Sequence, residues 1–94
     1  MPGFIWNFDW DIDKASANWA KHGITFKHAS TVLFDSLAIT TFDDEHSERE
    51  QRWVTLGLSA RGPLLVVVHT LEETGPGSAD VRIISARRAT PFEM

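Results

Sequence analysis

The run Leu64-Leu65-Val66-Val67-Val68-His69 most limits what this chain can become. It has no alternation of apolar and polar side chains, so it predicts a strand covered on both faces, at the centre of a sheet. A central strand needs a neighbour on each edge, and the sequence offers them. Arg52 to Leu58 is strand-like and leads into the run through the turn Ala60-Arg61-Gly62-Pro63, and Val81 to Ser85 is another short, β-branched apolar stretch.

The remaining segments can be read around that sheet. Phe4, Trp6, Phe8 and Trp10 alternate with Ile5, Asn7 and Asp9, the pattern of a strand with one aromatic face. Rings so placed can stack nucleic-acid bases, but in a chain of 94 residues they are needed first as core. Asp11 stands where a helix N-cap belongs, and Ile12 to His22 ends at Gly23, which predicts a first helix. Ile12, Ala15 and Trp19 share its expected apolar stripe, and Lys14, Asn18 and Lys21 its polar, basic face. Thr25 is placed to cap a second helix from about Phe26 to Phe34, with Phe26, Ala29 and Leu33 inward and Asp35 at its end. Ser36 to Phe42 reads as a strand, Asp43 to Glu50 as an acidic loop, and Glu72 to Asp80, with Gly75, Pro76 and Gly77, as a loose hairpin connection. The expected order is a strand, two helices and four further strands: an α+β fold with a mostly antiparallel sheet, in a single domain spanning residues 1–94.

Composition removes several classes of function. The chain has no cysteine, hence no disulfide framework and no thiolate zinc site. The acidic run lacks the glycine-centred spacing of a calcium loop, so neither a metal nor a cofactor is expected. No apolar run reaches the length of a membrane span, and residues 1–10 do not resemble a secretory signal, so a cytoplasmic location is expected. A formal net charge of −4 argues against a general polyanion-coating protein, so any contact with nucleic acid must come from a local patch.

The stretch Val81-Arg82-Ile83-Ile84-Ser85-Ala86-Arg87-Arg88-Ala89-Thr90 supplies such a patch, because its strand runs into two adjacent arginines. Neighbours on an extended chain point to opposite faces, so the pair cannot both be core. Either they pair with the chain's carboxylates, or they form a phosphate site, for which the guanidinium fork has the matching geometry.

Together these residues resemble the BrnT family, the ribonuclease half of BrnT/BrnA toxin-antitoxin systems. The resemblance rests on Phe8-Asp9-Trp10-Asp11, then Lys14, Asn18 and Lys21-His22-Gly23-Ile24 with Phe26, then Ala29, Val32, Phe34, Asp35 and Leu37-Ala38. It continues through His46-Ser47-Glu48, Glu50, Arg52-Trp53, Leu56-Gly57, Ser59, Arg61-Gly62 and Leu65 to Thr70, and ends on Arg82 to Thr90. It implies a RelE-like fold, metal-independent cleavage of RNA with inhibition of translation and growth, and neutralisation by a BrnA-like ribbon-helix-helix antitoxin, through which alone the system meets DNA. Past Ala89-Thr90 the family pattern continues with several basic residues and a glutamate. Here Pro91, Phe92 and Glu93 follow, so Glu93 keeps its place and the added positive charge is missing.

Metal-free RNA cleavage uses the 2′-hydroxyl as internal nucleophile. It needs a proton acceptor, charge aimed at the phosphorane, and a donor for the leaving oxygen. Arg52, Arg87 and Arg88 are the candidates for charge, His22 and His69 for proton transfer, and Lys14, Lys21, Arg61 and Arg82 for contacts to RNA phosphates. His46 ranks below the other two histidines, and His28 reads as a surface residue of the second helix. A different class of function fits the same patch: a catalytically weak module whose arginines dock an acidic segment of a partner protein.

Overall fold

A computed structural model describes residues 4–46 and 50–93. The chain forms β1 (Ile5–Trp10), α1 (Ile12–His22), α2 (Phe26–Ser30), β2 (Ile39–Phe42), β3 (Trp53–Leu58), β4 (Leu64–His69), β5 (Glu72–Gly75) and β6 (Ser78–Arg88), with short 3-10 turns at Thr31–Phe34 and Asp44–His46. The sheet order is β1-β6-β4-β3-β2, with β5 also paired to β6. Among the described residues only β1 and β6 pair in parallel. The apolar run β4 is therefore the middle strand of the path, and Leu65, Val66 and Val67 are buried.

Both helices lie on one face of this sheet. Their core joins Phe26, Ala29 and Val32 to Leu65, Val67, Val81, Ile83 and Ala86, with Trp6, Phe8, Trp10, Ala15 and Leu33 packed around it. The aromatic face of β1 is thus turned inward, and Trp10 meets Phe26 edge-on with ring centroids 6.1 Å apart.

Four expectations are corrected. First, five strands follow the helices, not four, because Glu72 to Asp80 is no loose connection. Glu72 pairs with Asp80 and Glu73 with Ala79 in a tight hairpin turning at Gly77, whose φ of 78° suits a residue without a Cβ. Second, the second helix does not continue to Phe34 as α-helix. Ser30 Oγ donates to the Lys27 carbonyl (2.7 Å) and Thr31 Oγ1 to that of His28 (2.6 Å), and the chain tightens into a 3-10 turn at Thr31.

Third, the strand expected from Ser36 begins only at Ile39. Asp35 turns the backbone first, accepting from the Leu37 N–H (3.0 Å) and reaching the Leu58 N–H (2.8 Å). Those amides hold its carboxyl below the usual range, Leu58 foremost.

Fourth, α1 is rotated from its expected orientation. Ile12 is 78% and Trp19 58% exposed, while Asn18, expected on the polar face, is 6% exposed. The reason lies in β6. β1 accompanies it only as far as Ile83, and beyond that point the edge of β6 is unpaired by any strand. Asn18 fills the gap: Ala86 N–H donates to its Oδ1, and its Nδ2 donates to the carbonyls of Ala86 and Ile24, all at 3.0 Å. One amide side chain takes the place of a strand residue, and α1 turns to bring it there.

Candidate functional site

The end of β6 carries the arginine pair. Arg88 lies opposite Leu65 and Arg87 opposite Val66. Directly paired residues share a face, so Arg88 leaves on the helix side and Arg87 on the other. Arg88 is exposed and makes no ion pair among the described residues. Arg87 is half-buried and engaged, its Nη1 donating to Glu93 Oε1 (2.7 Å) and its Nη2 to Oε2 (2.9 Å). The chain reverses after Ala89 to bring this carboxylate back, and Glu93 Oε1 also accepts the Thr90 N–H (2.7 Å). The Arg87 hydrogen bonds, with the Thr90 amide behind them, draw the Glu93 carboxyl down to about 2. Glu93 in turn raises the Arg87 guanidinium, so the pair is ionised at neutral pH. A carboxylate in both arms of a guanidinium occupies the geometry that two phosphate oxygens take.

Several predicted cations are brought to this end. Ala89 N–H donates to the Leu64 carbonyl (3.0 Å), which sets the end of β6 beside the β3–β4 turn carrying Arg61. Asn18 ties α1 to Ala86, and Lys21 and His22 follow it in the helix's last turn, which closes at Gly23. Lys14 is exposed one helical turn earlier than Asn18.

Other candidates are placed elsewhere. Arg82 approaches Asp9 at 3.9 Å, and a rise of about 3.3 Å per residue puts it roughly 16 Å along β6 from Arg87. Arg52 precedes Trp53, at the opposite end of β3 from the Arg61 turn, where Glu50 lies 4.0 Å from its Nε. A cavity of about 660 Å³ that Arg82 helps to line also has Asp9, Glu50, Glu72 and Asp80 in its wall, four carboxylates that outnumber it and disfavour phosphate. The His46 side chain and residues 47–49 lie outside the described residues.

His69 is fully buried. Its Nδ1 faces the Thr70 carbonyl at 2.8 Å and must carry a proton to bond there. In the neutral ring Nε2 is then an acceptor, receiving the Thr55 hydroxyl at 2.7 Å, and Thr55 receives Thr40 at 2.7 Å. Burial lowers the His69 pKa against the opposing pull of the Thr70 carbonyl. With both nitrogens engaged and no surface open to solvent, His69 does not touch a ligand in this conformation. His22 is half-buried at the end of α1.

Two residues of this region escaped sequence reasoning. Asn18 was legible only as polar, since nothing in a helix pattern signals a strand edge left vacant by another element. His28 was read as surface, yet its Nε2 is buried without a partner among the described residues.

A family model described as "Ribonuclease toxin, BrnT, of type II toxin-antitoxin system" matches residues 10–93. The chain belongs to the BrnT family. Among solved structures, the crystal structure of the Brucella abortus ribonuclease toxin BrnT is similar with a TM-score of 0.58 at 22% identity, covering 92% of this chain and 97% of that one. At that identity the likeness establishes a shared fold. No curated protein is significantly similar in sequence. Membership of the BrnT family makes RNA the substrate class and an antitoxin the partner class.

Proposed function

We propose that this chain is an endoribonuclease toxin that cleaves RNA without a metal, inhibits translation and growth in the cytoplasm, and is neutralised by a BrnA-like ribbon-helix-helix antitoxin. We also read its fold as RelE-like, two helices on one face of a mostly antiparallel sheet whose last strand delivers arginines. The observation that carries the proposal is the end of β6, where Arg87 holds a carboxylate bidentately and Arg88, the next residue, projects from the other face without a carboxylate partner among the described residues.

In this reading the two arginines have different tasks. Glu93, with its carboxyl at about 2, is too weak a base to accept a proton from the 2′-hydroxyl. Its task is to fix the plane of Arg87. Arg88 is the charge free to meet the phosphorane, His22 is the proton carrier, and Lys14, Lys21 and Arg61 bind flanking phosphates. His69 acts as a positioning residue, holding β3 and β4 in register through Thr55. Arg52 and Arg82, each beside a carboxylate, stand farther from the reaction.

The test is cleavage of a labelled RNA in EDTA by purified Arg88→Ala and Arg87→Ala proteins, with a thermal melt of each. Arg88→Ala is expected to lower the rate about a hundredfold with an unchanged melt, the usual loss when one preorganised charge is removed. Arg87→Ala is expected to lower both. Wild-type rates from a stable Arg88→Ala protein, or activity that EDTA abolishes and magnesium restores, would overturn the assignment.

A further inference from the structure

Beside the end of β6, α2 and the β3–β4 turn enclose an open cleft of about 550 Å³, lined by Thr25, Lys27, His28, Thr31, Ala60 and Arg61. Its two walls are joined, because the Ala60 N–H donates to Thr31 Oγ1 at 2.9 Å. Lys27 and Arg61 are exposed and form no ion pair among the described residues. His28 lines the same cleft, and its Nε2 is buried and meets no hydrogen-bonding partner among the described residues. Buried polar atoms are rarely left so, and one that is calls for a water or a ligand.

The charge at this cleft has no internal explanation. The chain carries 13 acidic residues against nine lysines and arginines, yet none of the acidic ones lines it. An ammonium and a guanidinium are donors only, and an imidazole nitrogen beside them donates when it carries the ring proton, a set that complements a phosphate group.

We propose that this cleft is a second phosphate subsite, which takes a phosphodiester of the RNA chain next to the one held at Arg88. The proposal rests on the ribonuclease reading above for its choice of ligand. A phosphate source fits better than an acidic peptide because Arg61 and Arg88 flank the same chain crossing at Leu64–Ala89, so one polyanion can engage both with regularly spaced charges.

The experiment measures binding of a short 2′-O-methyl oligoribonucleotide, which cannot be cleaved, to the full chain and to its Lys27→Ala, Arg61→Ala and His28→Leu variants across a range of potassium chloride. Each charge removal should weaken binding by about an order of magnitude, the usual share of a charge-assisted hydrogen bond. Each should also make the slope of log K against log salt less negative by about 0.7, the value for one phosphate contact on a single strand. His28→Leu should weaken binding while leaving the melt unchanged or higher, since it removes an unpartnered buried nitrogen. Affinity and slope unchanged in Lys27→Ala and Arg61→Ala would overturn the subsite, as would variants that keep RNA affinity but lose the antitoxin. The ribonuclease reading fails separately: a wild-type chain that binds this probe through the cleft but cuts no RNA sinks that reading and leaves the subsite standing.

Discussion

Replacing Asn18 with alanine removes the amide that closes the edge of β6. Three backbone groups lose their partner: the Ala86 N–H, the Ala86 carbonyl and the Ile24 carbonyl. Ala86 lies opposite Val67 in β4, but its N–H and carbonyl point the other way, into the edge that β1 has vacated, so no strand takes them over. The site is 6% exposed, which keeps bulk solvent from replacing the lost bonds. A buried group stranded in this way costs about 1–3 kcal/mol, and carbonyls tolerate it better than amides, so about 3 kcal/mol is expected for the set. A domain of this size holds roughly 5–14 kcal/mol in total, so the variant should remain folded but visibly weakened. Urea unfolding is the assay: with a slope of about 1–3 kcal/mol per molar, the midpoint should fall by about 1–3 M at unchanged slope. Asn18→Asp should fare no better, because it keeps the acceptor for Ala86 N–H but turns a second oxygen on two carbonyls. A loss below about 1 kcal/mol for Asn18→Ala would refute the argument and show that the edge is solvated.

Other outcomes follow from burial. Trp10→Ala should cost about 2–3 kcal/mol, less than for a fully buried ring because Trp10 is only partly buried against Phe26, whereas Trp19→Ala should stay within about 0.5 kcal/mol. Equal midpoint shifts for the two would contradict the orientation of α1. For His69 the linkage has a definite sign. Burial holds its folded pKa below the ordinary 6.5, so the unfolded chain binds the proton first and stability falls as pH drops below 6.5. His69→Gln should flatten that part of the pH–stability curve, and an unchanged curve would show that another group is responsible.

How much of this was legible in the sequence depended on whether a residue's environment was made by its own segment or by a distant one. The apolar β4, the aromatic alternation of β1 and the Asp11 and Thr25 caps are local patterns, and each appears where the pattern puts it. The stripe of α1 was misread because amphipathic spacing assumes that a helix covers a sheet face. This helix docks a polar residue on a strand edge, and the edge exists only because β1 is shorter than β6. Register also reordered the candidate site. Strand length separates Arg82 from Arg87, and Arg52 from Arg61, although all four had been assigned to one RNA site, Arg52 and Arg87 at the phosphorane and Arg61 and Arg82 at flanking phosphates. Glu93 could be read as keeping a family position, but its grip on Arg87 depends on a reversal of the last residues that no local pattern announces.

The net charge of −4 and a role on RNA are reconciled by where the charges stand. Asp9, Glu50, Glu72 and Asp80 gather around the cavity near Arg82, while Arg61, Arg87 and Arg88 stand at the far end of β6 with the last turn of α1. The two regions are roughly 16 Å apart along β6, about twice the screening length of roughly 8 Å at physiological salt. A phosphate at Arg88 therefore feels the cations around it far more than the carboxylates at the other end. At low salt the screening length grows past that separation, and the acidic end begins to repel a long RNA that reaches it. Short RNAs held only at the basic end stay farther from those carboxylates than from the cations that hold them and feel less of this repulsion, so their binding should strengthen steadily as salt falls. A longer RNA should gain less over the same range. A net-charge account predicts instead that chains of any length are repelled alike.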